Sequence, residues 1–298
     1  MTVEEKTEPS QTHWRSKIKA YVELLKLRLA VIVGLSGALG YMLATQGTYN
    51  FGLIVLFSVS GLMITGAANA TNQALEIELD RMMNRTGKRP LPSGRLSKRS
   101  ALYFAAVLLF FGTLIQALWF NPLTAAISFI SYLLYSFAYT PLKRVGPIAV
   151  FVGAIPGGLP PLIGCVAVKG IIDLEALVLF AVQFMWQFPH FWAIAWVLDE
   201  DYKKAGFRLL PLDNAKSMNT ALIVLAFTLV LLPLSILPTQ LGFTGLTSAW
   251  TAAMAGLGFL YLNLRLVKNG TDKNALQLMF GSFLYLPIVQ IAYVLDKL

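Results

Sequence analysis

Apolar residues fill nine stretches of the chain, near 29–46, 51–74, 101–120, 122–140, 147–168, 174–198, 219–238, 245–264 and 276–295. Each is close to the roughly 17–25 residues a helix needs to cross a bilayer. The pattern predicts an all-α integral membrane protein of about nine transmembrane helices, because backbone polar groups in lipid must be satisfied within their own segment. Asn121-Pro122 predicts a tight turn between the third and fourth stretches. Gly153, Pro156, Gly157, Gly158, Pro160 and Pro161 predict a fifth helix that is kinked or packs very closely on a neighbour.

Lys and Arg fall unevenly between these stretches. With the N-terminus cytoplasmic, the segment through Arg28 holds six, the 75–100 connection holds seven, and 22 of all 24 lie on the cytoplasmic side. Only Lys169 and Lys297 fall outside. The asymmetry satisfies the positive-inside rule for an odd number of spans, and a wrong span among the first eight would scramble it. The expected organisation is a cytoplasmic tail over 1–28 and a single transmembrane domain over 29–298. The tail carries Glu4, Glu5 and Glu8 and no cleavable apolar core, unlike a secretory signal or an acid-poor transit peptide. A bacterial inner (cytoplasmic) membrane is therefore the expected location.

Composition agrees. The 298 residues are 56% hydrophobic and 13% charged, with a mean hydropathy of +0.64, whereas a soluble domain carries about 25% charged residues. In so apolar a chain, the net charge of +9 reflects membrane orientation or an anionic substrate rather than nucleic acid. The single cysteine, Cys165, rules out an internal disulfide and a cysteine metal cluster.

Candidate chemistry collects where the second stretch ends. Asn72, Glu76 and Asp80 stand at i, i+4 and i+8, drifting only about 40° per step on a helix, so they share one face. The run begins inside an apolar span, where a carboxylate costs about 3 kcal/mol and so faces a cavity or a partner. Two carboxylates and an amide oxygen are hard ligands of the kind Mg²⁺ takes together with phosphate oxygens. Arg85, Lys88, Arg89 and Arg95 follow in a loop shaped by Pro90, Pro92 and Gly94, suited to the phosphate oxygens a metal leaves free. Acids and bases together point to a metal–diphosphate complex. The plainer alternative is a solvated helix end with intrahelical ion pairs. A fainter echo follows the sixth stretch, with Asp199-Glu200-Asp201 and then Arg208-Leu209-Leu210-Pro211. Two such half-sites on one membrane face suit a pseudo-repeated bundle around a central cavity.

Asn72-x-x-x-Glu76-x-x-x-Asp80 with its basic loop resembles the first motif of the UbiA-type intramembrane prenyltransferases. The run continues through Met83, Arg85-Thr86 and Arg89-Pro90-Leu91-Pro92-x-Gly94. Further segments are Tyr139-Thr140-Pro141-Leu142-Lys143-Arg144, Gly157-x-Leu159-Pro160-Pro161-Leu162-Ile163-Gly164 and Trp186-Gln187-Phe188-Pro189-His190-Phe191, then Asp201-Tyr202-x-x-Ala205-Gly206-Phe207. Together, over about residues 20–295, they resemble the haem-farnesylating branch of that family. The resemblance implies transfer of a farnesyl group from farnesyl diphosphate to a vinyl group of haem B, giving haem O. It also implies Mg²⁺ as cofactor, a site opening to the cytoplasm, and a downstream haem A synthase or oxidase assembly proteins as partners. Asn72, Glu76 and Asp80 would hold metal and diphosphate, and Arg85 and Arg89 would bind phosphate. Two departures stand out. Glu76 occupies a position where aspartate is frequent, and the family's Asp-x-x-x-Asp second motif is replaced by Asp199 and Asp201. Residues two apart point to different sides of a helix, so the expected second metal contact is Asp201 alone.

His190 is the one histidine within the apolar stretches, His13 lying in the tail. Its imidazole suits haem iron as a ligand or orienter; the alternative is a packing histidine bonded to a neighbour. Trp186, Phe188, Phe191, Trp192 and Trp196 surround it, either packing the bundle or facing a flat macrocycle. Tyr139, Lys143 and Arg144 either extend the phosphate site or anchor a helix end. Two other functions stay open. One is prenylation of an aromatic acid or quinone precursor, which has no evident need of the His190 segment. The other is a cation-coupled transporter, whose acids would pair near the midplane rather than beside seven bases.

Overall fold

The computed structural model describes residues 11–212 and 214–298, with side chains from Trp14 onward. The run carrying Glu4, Glu5 and Glu8, and the side chain of His13, lie outside the described residues. Among the described residues nine helices are long and apolar enough to cross a membrane. These spans, first to ninth, are Leu27–Ala44, Phe51–Leu75, Lys98–Trp119, Pro122–Leu142, Ile148–Lys169, Leu174–Val197, Met218–Gln240, Leu246–Asn269 and Asp272–Leu295. Local chemistry starts many of them. Asn50, Ser97, Asn121, Asp173, Ser217 and Thr271 each accept a backbone N–H three residues on, which satisfies one of the orphan donors of a helix start.

Each span packs on the next, and the ninth returns to the first. The first also crosses the fifth, and the sixth crosses the ninth. The exterior of the bundle is apolar, unlike that of a soluble protein, and part of its interior is polar. Phe110, Met254 and Leu284 are exposed on the outside, whereas Asn69, Asn72, Gln73, Glu76 and Asp80 are buried. A bilayer covers such an apolar exterior. Where the first and fifth spans cross, a Cβ on Gly40 would lie 2.2 Å from Pro161 O, and one on Gly164 2.2 Å from Gly37 O. Backbone touches backbone there, as small residues allow in membranes. The fifth span stays one helix through Pro156, Pro160 and Pro161, so close packing is what its glycines and prolines provide.

The segment expected as a polar tail is helical from Gln11 to Leu25. Ala20 and Leu24 pack into a core shared with the second and third spans. Trp14, Ile18 and Val22, spaced by four, remain on an outer stripe that suits a bilayer interface. Basic residues between these positions mask the stripe in a hydropathy average.

Candidate active site

The second span stops at Leu75, and the short helix Ile77–Met82 follows after a break at Glu76 (φ −108°, ψ 20°). The helix expected to run unbroken through Asp80 is therefore bent. Register survives: Glu76 N–H bonds Asn72 O at 3.1 Å, and Asp80 N–H bonds Glu76 O at 2.7 Å. Asn72, Glu76 and Asp80 all line one cavity. Beyond the bend the loop folds back, with Thr86 Oγ1 donating to Asp80 O at 2.8 Å. The sixth span breaks in the same way at Leu198 (φ −100°, ψ 10°) before the helix Asp199–Lys204. The echo in the sequence is thus a repeated backbone turn.

Both acids are held by buried or half-buried cations. Arg89 Nη1 donates to Asp80 Oδ1 and Oδ2 at 2.9 and 2.8 Å. Lys143 Nζ lies 2.6 Å from Glu76 Oε1 and 2.7 Å from Oε2. The Lys143 ammonium also sits 5.2 Å from the Tyr139 ring centre and 5.0 Å from that of Phe207, which braces it by cation–π attraction. Asn72 Nδ2 donates to Glu76 Oε2 at 2.9 Å and to Thr140 Oγ1 at 3.0 Å. Thr140 can accept because its own hydroxyl donates to Tyr135 O at 2.9 Å, in the π-helical turn Leu134–Tyr139 of the fourth span. Such turns are rare and cluster at functional sites.

Lys26 completes the set, a site residue that no motif in the sequence marks. It separates the N-terminal helix from the first span in a left-handed conformation (φ 49°, ψ 53°), which costs a non-glycine residue about 1–2 kcal/mol. That turn brings its ammonium to the cavity, 3.3 Å from Asn72 Oδ1. Burial lowers its pKa to about 7, and the Arg89 and Lys143 cations push the same way. The one signal available was a lysine set between Leu25 and Leu27 at the start of an apolar run.

Not every expected residue joins the cavity. Arg85, Tyr139, Lys143 and His190 line it. Asp201 does not: its carboxylate accepts the backbone N–H of Asn84 at 2.9 Å and of Arg85 at 3.1 Å. Partial burial acts to raise the Asp201 pKa, but those two amides and Lys204 outweigh it and hold the carboxyl below its ordinary value. Each of its oxygens thereby anchors one amide of the loop. Arg95 pairs with Glu23 at 2.5 and 3.1 Å and with Lys88 O at 2.9 Å. Lys88, Arg95 and Arg144 do not line the cavity.

The cavity holds about 510 Å³, within the range of roughly 300–1,000 Å³ usual for small-molecule sites. It runs from this charged mouth to His190 on the sixth span. Trp186 stacks on the imidazole with centroids 4.3 Å apart, and Gln183 and Gln187 both donate to Gly157 O.

The mouth fits a hard divalent cation bound with an anion. Lys26, Arg85, Arg89 and Lys143 outnumber Glu76 and Asp80 at the cavity wall, leaving positive charge for a ligand. Glu76 Oε1 is buried and, despite the nearby Lys143, accepts no well-aligned hydrogen bond. No cluster of three His, Cys, Asp or Glu occurs among the described residues. A cation here would therefore need Asn72 and the anion's own oxygens to complete its shell, the arrangement typical of substrate-bridged sites.

A ring of membrane-length helices encloses a cavity whose acid–base end suits an anionic ligand. The chain belongs to the UbiA prenyltransferase family, whose family model matches residues 31–286. A protoheme IX farnesyltransferase of Cytophaga hutchinsonii is 51% identical over 283 residues, covering 95% of this chain and 99% of that one. Another, from Flavobacterium psychrophilum, is 43% identical over 95% of this chain and 96% of its own. Among solved structures, that of digeranylgeranylglyceryl phosphate synthase superposes with a TM-score of 0.78 at 23% identity, over 94% of this chain and 98% of that one. A UbiA homolog from Archaeoglobus fulgidus bound to GPP and Mg²⁺ gives 0.69 at 14% identity, over 92% and 99%. These two likenesses concern the fold.

Proposed function

We propose that the chain transfers a farnesyl group from farnesyl diphosphate to a vinyl group of protohaem IX (haem B), giving haem O and diphosphate. One observation carries the reading: Asn72, Glu76 and Asp80, with Lys26, Arg85, Arg89 and Lys143, open into the same cavity that His190 lines. The 51% identity to a protoheme IX farnesyltransferase supports the choice of substrates.

Asn72 Oδ1, Glu76 and Asp80 would hold Mg²⁺, which supplies Lewis-acid stabilisation of the charge building on the departing diphosphate. Arg89 and Lys143 turn from the carboxylates to the phosphate oxygens, joined by Arg85 and Lys26. Such preorganised donors act where charge develops. The farnesyl C1–O bond breaks with its electron pair leaving on diphosphate, and the terminal vinyl carbon bonds to C1. Water then adds to the carbon beside the macrocycle and releases a proton. Tyr135, Tyr139 and Phe191 line the cavity and offer ring faces to the allylic cation. Asp201 holds the Arg85 loop in place, and His190 meets the haem. The excess of basic residues on the mouth's side supports a mouth on the cytoplasmic face under the positive-inside rule, and the membrane of the proposal is a bacterial inner membrane. The catalytic domain of residues 29–298 is extended by the N-terminal helix, which brings Lys26 to the cavity, and the product passes within the bilayer to a haem A synthase or oxidase assembly proteins.

The test is expression in cells that lack haem O, followed by extraction of total haem and mass spectrometry. A hydroxyethylfarnesyl mass increase on haem B is expected; unmodified haem from a well-expressed, membrane-inserted protein would contradict the assignment.

A further inference from the structure

His190 lies deep in the cavity wall, and what holds its ring comes from another helix. Its Nδ1 is 2.8 Å from Ser282 Oγ on the ninth span. The Ser282 hydroxyl has a single proton, and Met279 O, 2.6 Å away, takes it. With its proton directed to Met279 O, Ser282 Oγ accepts from His190, an assignment that puts the imidazole proton on Nδ1. The second nitrogen, Nε2, is left with a free lone pair, and among the described residues no group bonds it. Trp186 reinforces the arrangement. It stacks on His190 at 16° between planes, and its Nε1 donates to the backbone oxygen of Ser282 at 3.0 Å. One residue of the ninth span thus fixes both rings, through its hydroxyl and its carbonyl. Phe283 adds an edge-on contact to His190 at 4.9 Å.

A packing histidine needs no defined tautomer. A histidine that ligates iron does, since the ligating nitrogen must be unprotonated and the other N–H needs an acceptor that sets ring orientation and basicity. We propose that Ser282 is a positioning residue, whose hydroxyl takes the Nδ1 proton of His190 and so presents Nε2 to the iron of a haem substrate. The inference rests on the haem reading above and extends it to a second helix. Ser282 does not touch substrate; it acts through His190.

The test needs no turnover. The full-length protein in nanodiscs is titrated with ferric haem B, read by its Soret absorption and, after reduction, by the iron–histidine stretch in resonance Raman spectra. The wild type should show histidine-ligated haem. Ser282→Ala should weaken haem binding by about 10–100-fold, the usual effect of removing an outer-shell partner, and should shift or abolish the iron–histidine band. Ser282→Thr, which keeps the hydroxyl, should restore both. Ser282→Cys, nearly isosteric but a weaker acceptor, should fall between, which guards against misfolding of any one variant. Equal affinity and an unchanged band in Ser282→Ala would overturn the positioning role while leaving the haem reading intact. A wild-type protein that binds no haem would instead overturn the haem reading, and this inference with it.

Discussion

Asp201 holds Arg85 by its backbone amide rather than by its guanidinium, at 3.1 Å. The neighbouring amide of Asn84 meets the other carboxylate oxygen at 2.9 Å. An acid from the second half of the chain thereby caps the basic loop of the first. Arg85 is left free to lie across the Tyr202 ring at 5.9 Å and to face the cavity. Asp201→Ala should loosen that loop, raising KM for farnesyl diphosphate more than it lowers kcat and quickening amide exchange across 83–89. A variant that instead loses bound metal, with exchange unchanged, would restore Asp201 as a ligand.

The cations of the mouth should separate sharply from those outside it. Removing one preorganised donor from a developing anion costs about 10²–10³-fold in kcat, and that is the loss expected for Arg89→Ala and for Lys143→Ala. Arg95, paired with Glu23 on the outer side of the loop, should matter little, since exposed pairs contribute about 0–1 kcal/mol. Steady-state rates of the three purified variants decide this, and equal losses in all three would refute the division.

Lys26 predicts a pH effect on binding. Its pKa of about 7, against an ordinary 10.5, leaves it mostly neutral above neutrality in the empty site. A diphosphate beside it favours the charged form and raises the pKa, so binding takes up a proton when the pH exceeds about 7. Affinity should accordingly fall as pH rises above that value, and Lys26→Met should abolish the uptake. Titration calorimetry of a farnesyl diphosphate analogue in buffers of different ionisation heat measures it directly.

The crossing of the first and fifth spans should tolerate no added carbon. Gly164→Ala places a methyl 2.2 Å from a backbone oxygen and should destabilise by about 1–3 kcal/mol, as overpacking does. At Gly258, in the eighth span, an added methyl would meet nothing within 4 Å, so Gly258→Ala should leave thermal unfolding in detergent unchanged. Equal melting of the two variants would mean the crossing is looser than described.

Much of this was legible in the sequence because bilayer physics writes it in long runs. Span number follows from apolar length, and the Asn72–Glu76–Asp80 stripe follows from helical spacing. What stayed hidden was set by contacts between distant segments. Lys26 reaches the cavity through a left-handed turn that no local pattern announces. Asp201 is expected at a metal through resemblance to the family's second motif, whereas its position beside the Asn84 and Arg85 amides depends on how the two halves of the bundle meet. Ser282 has no signal of its own, since a serine in an apolar span is common and its meaning comes only from the histidine opposite.

The most direct measurement is a structure of the protein with Mn²⁺, in place of Mg²⁺, and a non-hydrolysable farnesyl thiodiphosphate. Anomalous density for the metal should fall against Glu76, Asp80 and Asn72, with Arg89 and Lys143 moved from the carboxylates onto the phosphate oxygens. Diphosphate bound elsewhere, with the Asp80–Arg89 and Glu76–Lys143 pairs undisturbed, would contradict the account.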